Sequence, residues 1–325
     1  MSLQLSVVIV NWNTRELLRD CLQSIEAKTR RTKYEIIIID NASKDSSAEM
    51  VKEAFPHVKL IESSANLGFA KANNQGIANS KAKYILFLNP DTKILSNALD
   101  GMVEFMENEQ SYGAVGCKLT TPEAGIQFTC ARAFPTLLNQ LSEFLFFHRL
   151  FPHQRRLPTV ELSYWNHQNS CEIDCLSGAC IMSRRSIIQN IGGFSEEYFM
   201  YAEDVDLCYR IRKMGWKIYY LAEEEILHFG GASSEQRNEN SYSAVMIRES
   251  NYRFMKIHYG GGKAFVFRLL CGVTSSVRLY LAFIAAIIYS MAKDGGRTAY
   301  TNLSKKHLAL IQWSFNMVDL EEMKK

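Results

Sequence analysis

Through its first third the chain alternates short β-branched runs with segments of helical period, and few architectures accept that order. Leu5 to Val10 precedes Thr14 to Lys28, Tyr34 to Ile39 precedes Ser46 to Ala54, Val58 to Ile61 precedes Phe69 to Ala78, and Tyr84 to Leu88 precedes Ser96 to Asn108. Strands that are apolar on both faces need cover on both, and the intervening helices supply it. The pattern therefore predicts βαβ units and an α/β fold of Rossmann type, a mostly parallel sheet flanked by helices. In such open sheets ligands sit beyond the carboxyl ends of the strands. That rule selects four loops: Asn11-Trp12-Asn13, Asp40-Asn41-Ala42-Ser43, Asn66-Leu67-Gly68 and Asn89-Pro90-Asp91.

A later stretch points to the chemistry. In Tyr198-Phe199-Met200-Tyr201-Ala202-Glu203-Asp204-Val205-Asp206-Leu207-Cys208-Tyr209-Arg210, three carboxylates open a helix among aromatic residues. Acids at a helix start are ordinary, because exposed amides and the macrodipole favour them. The spacing says more: Asp206 can pair with Arg210 four residues on, and with Glu203 three residues back, which leaves Asp204 as the acid free to take a proton. Asp40 can accept a hydrogen bond from the imide N–H of uracil or thymine while Trp12 stacks on the same base. The plainer reading makes Asp40 the cap of its own turn and Trp12 a core residue. The run from Asn66 to Gly76, with Gly68 and Asn74, opens a helix whose first amides suit a diphosphate. Asp91, beside Asn89, can hold a hard divalent cation bridging diphosphate oxygens, with His228 as a further ligand. A solitary histidine at a strand end is more often a structural donor, and it is the combination with Asp91 that points to a ligand. Gly178 and Ala179 read as a wall against which substrate lies, and Gly193 as a turn.

The chain has 325 residues, more than one ordinary domain, and a division at 235 is expected, with a catalytic part before it and a helical region, 236–325, after it. A net charge of +3 is too small to imply nucleic acid. Eight cysteines scattered through apolar runs suit reduced thiols better than disulfides. The N-terminus enters an apolar run with no basic region or cleavage site, so no signal peptide is expected and catalysis is placed on the cytoplasmic side. Strand-like Cys171 to Ser183, a helix from Glu203, and strands Lys217 to Leu221 and Glu225 to His228 complete the catalytic part. Phe134 to Pro152 reads as a buried amphipathic helix, although its aromatic bulk beside His153-Gln154-Arg155-Arg156 also suits a membrane surface. Leu279 to Ala292 carries no charge but falls short of the roughly 20 residues a span needs. It reads instead as lying in the membrane interface, helped by Arg268, Arg278, Lys293, Lys305 and Lys306.

Taken in chain order, Val10-Asn11-Trp12-Asn13, Asp40-Asn41-Ala42-Ser43, Asn66 to Gly76, Asn89-Pro90-Asp91, Gly178-Ala179 and Glu203-Asp204-Val205-Asp206-Leu207 resemble the family 2 inverting glycosyltransferases over roughly residues 3 to 235. The resemblance implies a GT-A fold with a C-terminal helical appendage. It implies that Asp40 binds the base, Asp91 the metal (Mg2+ or Mn2+) and diphosphate, His228 a metal or phosphate, and that Asp204 is the general base. Val10, Trp12, Asn66, Gly68, Asn74, Asn89, Gly178, Ala179 and Glu203 would line the nucleotide-sugar site. Asn89 stands where the wider family has the first acid of an Asp-x-Asp pattern. Asn-Pro-Asp together with Glu-Asp-Val-Asp-Leu looks like the rhamnosyltransferase branch. That implies dTDP-L-rhamnose as donor and a saccharide or prenyl-diphosphate-linked saccharide as acceptor, in cell-surface polysaccharide synthesis. UDP-sugars such as galactofuranose, glucose or N-acetylglucosamine donors are the alternative. A sugar-nucleotide pyrophosphorylase would need a glycine-rich loop with Arg and Lys after the first strand, which Asn11-Trp12-Asn13-Thr14 lacks. An inactive membrane scaffold sits poorly with Asp91, Asp204 and His228 retained together.

Overall fold

The structure is a computed structural model that describes residues 2–123, 125–146, 150, 159–162, 164–230, 240–290 and 297–318. The His153 to Arg156 cluster and Lys293 lie outside the described residues. The chain divides into two units, Met1–Phe134 with Val160–Ser233, and Pro135–Thr159 with Ser234–Lys325. The segment from Pro135 to Thr159 thus groups with the C-terminal helices, whereas the sequence placed the whole division at 235.

The first unit is built on β1 (Leu5–Asn11), β2 (Tyr34–Asp40), β3 (Lys59–Glu62), β4 (Tyr84–Leu88), β5 (Thr92–Ile94), β6 (Tyr112–Thr120), β7 (Ala131–Arg132), β8 (Cys171–Ile173), β9 (Cys175–Leu176), β10 (Cys180–Arg184) and β11 (Lys217–His228). Its helices are α1 (Arg15–Lys28), α2 (Ser47–Ala54), α3 (Gly68–Asn79), α4 (Ala98–Asn108), α6 (Arg185–Asn190) and α7 (Glu203–Lys213). Nine strands form one sheet in the order β3-β2-β1-β4-β10-β6-β11-β5, with β8 also paired to β11. Leu5, Val7, Val8 and Ile9 are wholly buried, as a parallel strand covered on both faces requires. α1 buries Leu18, Cys21, Leu22 and Ile25, the one-sided stripe of a helix lying on a sheet. α3 lies so close to β1 that a Cβ added at Gly76 would come within 2.2 Å of Val8 Cγ1.

The register explains where the site forms. Asn11 pairs with Asp40 and Ile9 with Leu88, so β1, β2 and β4 end side by side. β10 is antiparallel to β4, with Cys180 opposite Leu88, so the loop entering β10 arrives at the edge that the other strands leave. His228, ending β11, sits opposite Thr92. The two strands expected at Lys217 to Leu221 and Glu225 to His228 are one strand with a register shift between Leu221 and Glu225. Cys171 to Ser183, read as one strand, is broken into β8, β9 and β10, and β9 leaves the main sheet to pair with β7.

The second unit holds α5 (Leu137–Phe144), α8 (Asn240–Tyr259), α9 (Gly261–Ser290) and α10 (Arg297–Ser314). Phe144, Val245, Met255, Ala264, Phe267, Cys271, Leu310 and Trp313 make its core. Within the buried helix expected from Phe134 to Pro152, of which 147–149 and 151–152 lie outside the described residues, α5 spans eight residues, and Leu138, Leu145, Phe146 and Leu150 are exposed. Among the described residues one helical segment, Gly261–Ala285, is long and apolar enough to cross a membrane by length and composition.

Candidate active site

Asp40 closes β2 almost out of solvent, and two groups of its own rim hold it. Asn11 Nδ2 donates to its Oδ1 at 3.0 Å and the Ser43 amide to its Oδ2 at 3.0 Å. The Ser43 bond is the turn cap that the plainer reading expected, yet a carboxylate offers about four acceptor positions, so capacity for an imide N–H remains. Trp12 stands next along the chain, half-buried. Asn13 and Ala42 take positive φ, 54° and 61°, bending both loops back over the strand ends.

Beside this pair, Asn41 fixes the next loop. Its Nδ2 donates to Asn66 Oδ1 at 2.8 Å and its Oδ1 accepts the Leu67 amide at 2.8 Å, while Asn66 Oδ1 also accepts the Gly68 amide at 2.9 Å. The amides assigned to a diphosphate at Leu67 and Gly68 are therefore taken up inside the loop. Asn74 does not face the rim's ligand side either. It clamps the 193–196 loop, accepting the Phe194 amide at 2.8 Å and donating to the Phe194 carbonyl oxygen at 2.9 Å. Gly193, at φ +74°, makes the turn that allows this, and a Cβ there would come within 2.5 Å of Asn74 Oδ1. The Val10 side chain packs with Ile37, Ile39 and Ala72 in the core.

Asp91 and His228, far apart in sequence, are brought together. Asp91 Oδ1 lies 3.3 Å from His228 Nε2, and Asn89 Nδ2 lies 3.4 Å from the same nitrogen. Gln127 Oε1 lies 2.7 Å from Nδ1 and orients the ring, with Nε2 turned toward Asp91. Among the described residues no group of three or more His, Cys, Asp or Glu side chains could hold a metal.

Asn89 also carries the thread to the acid cluster. Its amide donates to the Ala179 carbonyl oxygen at 3.1 Å, and the amide of the preceding Gly178 donates to Asp204 Oδ2 at 2.9 Å. A Cβ at Gly178 would lie in ordinary contact with Asp204 Cβ, at 3.4 Å, so the wall read from Gly178 and Ala179 stands against the acid itself. Asp204 opens α7, and it is not the unengaged acid that helix spacing implied. Arg132 Nη2 donates to its Oδ2 at 2.7 Å, across 72 residues of chain. The i,i+4 argument weighs only neighbours on the same helix, and the partner comes from β7. β7 pairs with β9 in register Arg132 to Cys175, so this two-stranded piece delivers both Arg132 and the Gly178 amide to one oxygen. Burial opposes the Arg132 charge, but Asp204 holds its proton above the ordinary arginine range. Oδ1 accepts the Val205 amide at 2.8 Å and keeps further lone-pair capacity.

The neighbouring acid behaves differently. Burial first, then the Asp204 charge, pushes Glu203 up to about 8, which favours its protonated form. Its buried Oε2 has no hydrogen-bond partner among the described residues. Asp206 pairs with Arg210 Nε at 2.6 Å as the spacing predicted. Tyr201 and Ala202, just before α7, both have positive φ, 68° and 61°. Two successive non-glycine residues in that region are strained, and such strain gathers where a functional group must be aimed. The sequence offered no sign of Arg132 or Gln127, since each acts through one partner supplied by a distant strand.

The family described as Glycosyl transferase family 2 matches residues 6–192. The N-acetylglucosaminyl-diphospho-decaprenol L-rhamnosyltransferase of Mycobacterium tuberculosis is 29% identical over 270 residues, 79% of this chain and 85% of that protein. Rhamnosyltransferase WbbL of Escherichia coli is 25% identical over 258 residues, 77% of this chain and 91% of that one. Among solved structures, the mannosyltransferase PcManGT from Pyrobaculum calidifontis in complex with GDP-Man and Mn2+ is similar in fold, with a TM-score of 0.56 at 15% identity, covering 97% of this chain and 86% of its own. The family match takes in more than half the residues and every rim loop up to β10, so the chain belongs to family 2 of the glycosyl transferases and is a glycosyltransferase.

Proposed function

We propose that this enzyme moves L-rhamnose from dTDP-L-rhamnose to a hydroxyl of a prenyl-diphosphate-linked saccharide, with inversion at the anomeric carbon, in cell-surface polysaccharide synthesis. The observation that carries the reading is the convergence at Asp204: a carboxylate held by Arg132 and the Gly178 amide through one oxygen, a single residue away from the backbone contact to Asn89. Two rhamnosyltransferase relatives similar over most of the chain support rhamnose as the sugar moved, and the N-acetylglucosaminyl-diphospho-decaprenol L-rhamnosyltransferase supports a lipid-linked acceptor.

In this reading Asp40 and Trp12 hold the thymine, by imide hydrogen bond and by stacking. Arg132 and Gly178 fix Oδ2, so that Oδ1 of Asp204 faces the acceptor hydroxyl and takes its proton as the oxygen attacks the anomeric carbon. The nucleoside diphosphate departs from the opposite face. Glu203, protonated and without a partner at Oε2, offers a hydrogen bond to a sugar hydroxyl of the bound pair. Asp91 Oδ1 and His228 Nε2, with Gln127 orienting the ring, would hold a Mg2+ or Mn2+ ion beside the diphosphate. Such an ion would neutralise charge on the departing diphosphate. Asn89 Nδ2, beside Nε2, provides a hydrogen-bond donor to the same oxygens.

We place the enzyme on the cytoplasmic face of the membrane as a peripheral protein. Phe265, Leu269, Val273, Val277 and Tyr280 form an exposed apolar stripe on α9, a helix that contains Lys263, Arg268 and Arg278 but no acidic residue. That composition suits an anionic membrane surface. The test is a donor panel: dTDP-rhamnose, UDP-galactofuranose, UDP-glucose and UDP-N-acetylglucosamine, each supplied with and without Mg2+ or Mn2+, with release of nucleoside diphosphate followed by chromatography. Turnover confined to dTDP-rhamnose supports the proposal, and turnover with a UDP-sugar instead overturns the donor.

A further inference from the structure

Arg132 has more hydrogen-bonding capacity than its bond to Asp204 uses. A guanidinium carries five N–H donors in a planar fork. Among the described residues Arg132 spends one of its nitrogens, Nη2, which donates to Asp204 Oδ2 at 2.7 Å. Its Nε is buried and has no hydrogen-bond partner among them. Nη1 has none there either, but it is not enclosed, and the side chain as a whole keeps 21% of its surface exposed. An arginine serving only to neutralise Asp204 would be expected to grip both carboxylate oxygens in two parallel bonds, and this one approaches end-on through a single bond.

The surroundings supply little to fill the open side of the fork. The Cys175 and Cys208 thiols lie within electrostatic reach, and sulfur is a weak acceptor. Glu203 also feels Arg132, but burial favours its neutral form, which brings little counter-charge. Unused N–H groups on a mostly buried guanidinium cost free energy until an acceptor arrives. Because β7 is held to β9 in register, the fork is presented from a fixed strand. In the displacement proposed above, the acceptor hydroxyl lies at Asp204 Oδ1, and the donor's diphosphate leaves from the opposite face of the anomeric carbon. A guanidinium seated on Oδ2 of the same carboxylate is therefore on the acceptor's side.

We infer that Arg132 is also an acceptor-binding residue: its Nη1 takes a phosphate oxygen of the acceptor's diphosphate, so that the attacking hydroxyl belongs to the sugar carrying that diphosphate. The inference rests on the lipid-linked acceptor proposed above and extends it to a named contact. The planar fork matches phosphate oxygens, and the charge-assisted bond is the strong kind. Seating the phosphate also draws on charge that Asp204 otherwise has to itself, and a carboxylate with less counter-charge holds a proton more readily. The base is thus strengthened when the acceptor is in place and weaker in the empty site, where water is the only nucleophile at hand.

The test is calorimetric titration of the full-length protein with geranyl diphosphate and, as the phosphate-free control, geraniol. Both are run with dTDP and Mg2+ saturating, so that the donor's diphosphate position is already filled. The wild type is expected to bind geranyl diphosphate roughly tenfold more tightly than geraniol, and Arg132→Gln to lose that margin while binding geraniol as before. Arg132→Lys, which keeps the charge as a point donor, should recover part of it. Asp204→Asn frees the guanidinium from its competing partner and should bind geranyl diphosphate several-fold more tightly than wild type, which decides the matter should Arg132→Gln not fold. A wild type without the margin, Arg132→Gln that keeps it, or weaker binding by Asp204→Asn overturns the inference. A margin seen only when dTDP is left out overturns it too, because the phosphate is then the donor's. A protein that gives no heat with dTDP counts against the dTDP donor alone, and the same titrations with UDP in its place still decide the role of Arg132.

Discussion

Replacing Glu203 by Gln isolates the electrostatics at the start of α7. The side chain sits 9% exposed beside Asp204, and its carboxyl is pushed from the ordinary 4.5 up to about 8. An acid whose pKa is raised by folding binds its proton more tightly in the native state than in the unfolded chain. Between its ordinary value and about 8 the native state therefore holds more protons, and stability falls as pH rises through that window. Each pH unit is worth at most ~1.4 kcal/mol, so the full shift corresponds to an upper limit of roughly 5 kcal/mol lost above pH ~9. Water entry and a small movement away from Asp204 relieve part of that, which leaves an expected loss of about 2–3 kcal/mol. Glu203→Gln keeps the shape and removes the titration. Urea unfolding of both proteins from about pH 5 to about pH 9 should give nearly equal stabilities at the acid end, with the variant ahead by about 2–3 kcal/mol at the alkaline end. Parallel pH profiles would refute the reasoning, because they would mean Glu203 is solvated in the native state.

Asp204→Asn should lower turnover by ~10²–10⁴-fold while donor binding, measured by calorimetry, changes little, and a fully active variant would remove Asp204 from the role of base. The same change leaves Arg132 buried without its counter-charge, and a fall in stability of about 1–3 kcal/mol is expected by urea titration. Gly76→Ala forces α3 off Val8 and should cost about 1–3 kcal/mol, with the rim loops displaced; an unchanged melting curve would show that helix and strand are not in contact. Ala202→Gly relieves a left-handed alanine and should raise stability by about 0.5–1 kcal/mol, yet reduce turnover by loosening Asp204; a loss of stability would mean the φ of 61° carries no strain.

The parts of this protein written locally were legible without coordinates. Both-faces-apolar runs such as Leu5 to Val10 can only be buried strands, and the rule that ligands meet the carboxyl ends of such strands located Asp40, Asn89 and Asp91 before any pairing was known. The pair of Asp206 with Arg210 was equally visible, because both ends lie on one helix turn. What the tertiary structure decided is every relation that closes across distant chain. The antiparallel β10, inserted between β4 and β6, brings Gly178 and Ala179 to the same edge from the opposite direction. The short β7–β9 pairing sets Arg132 on Asp204, and Asn74, which looked like a ligand for diphosphate, is spent on the Phe194 backbone. Periodicity records which face of an element avoids water, and so it determines elements and edges. Which charge meets which across the fold depends on strand order and register, set by packing of the whole sheet, and no local spacing carries that information.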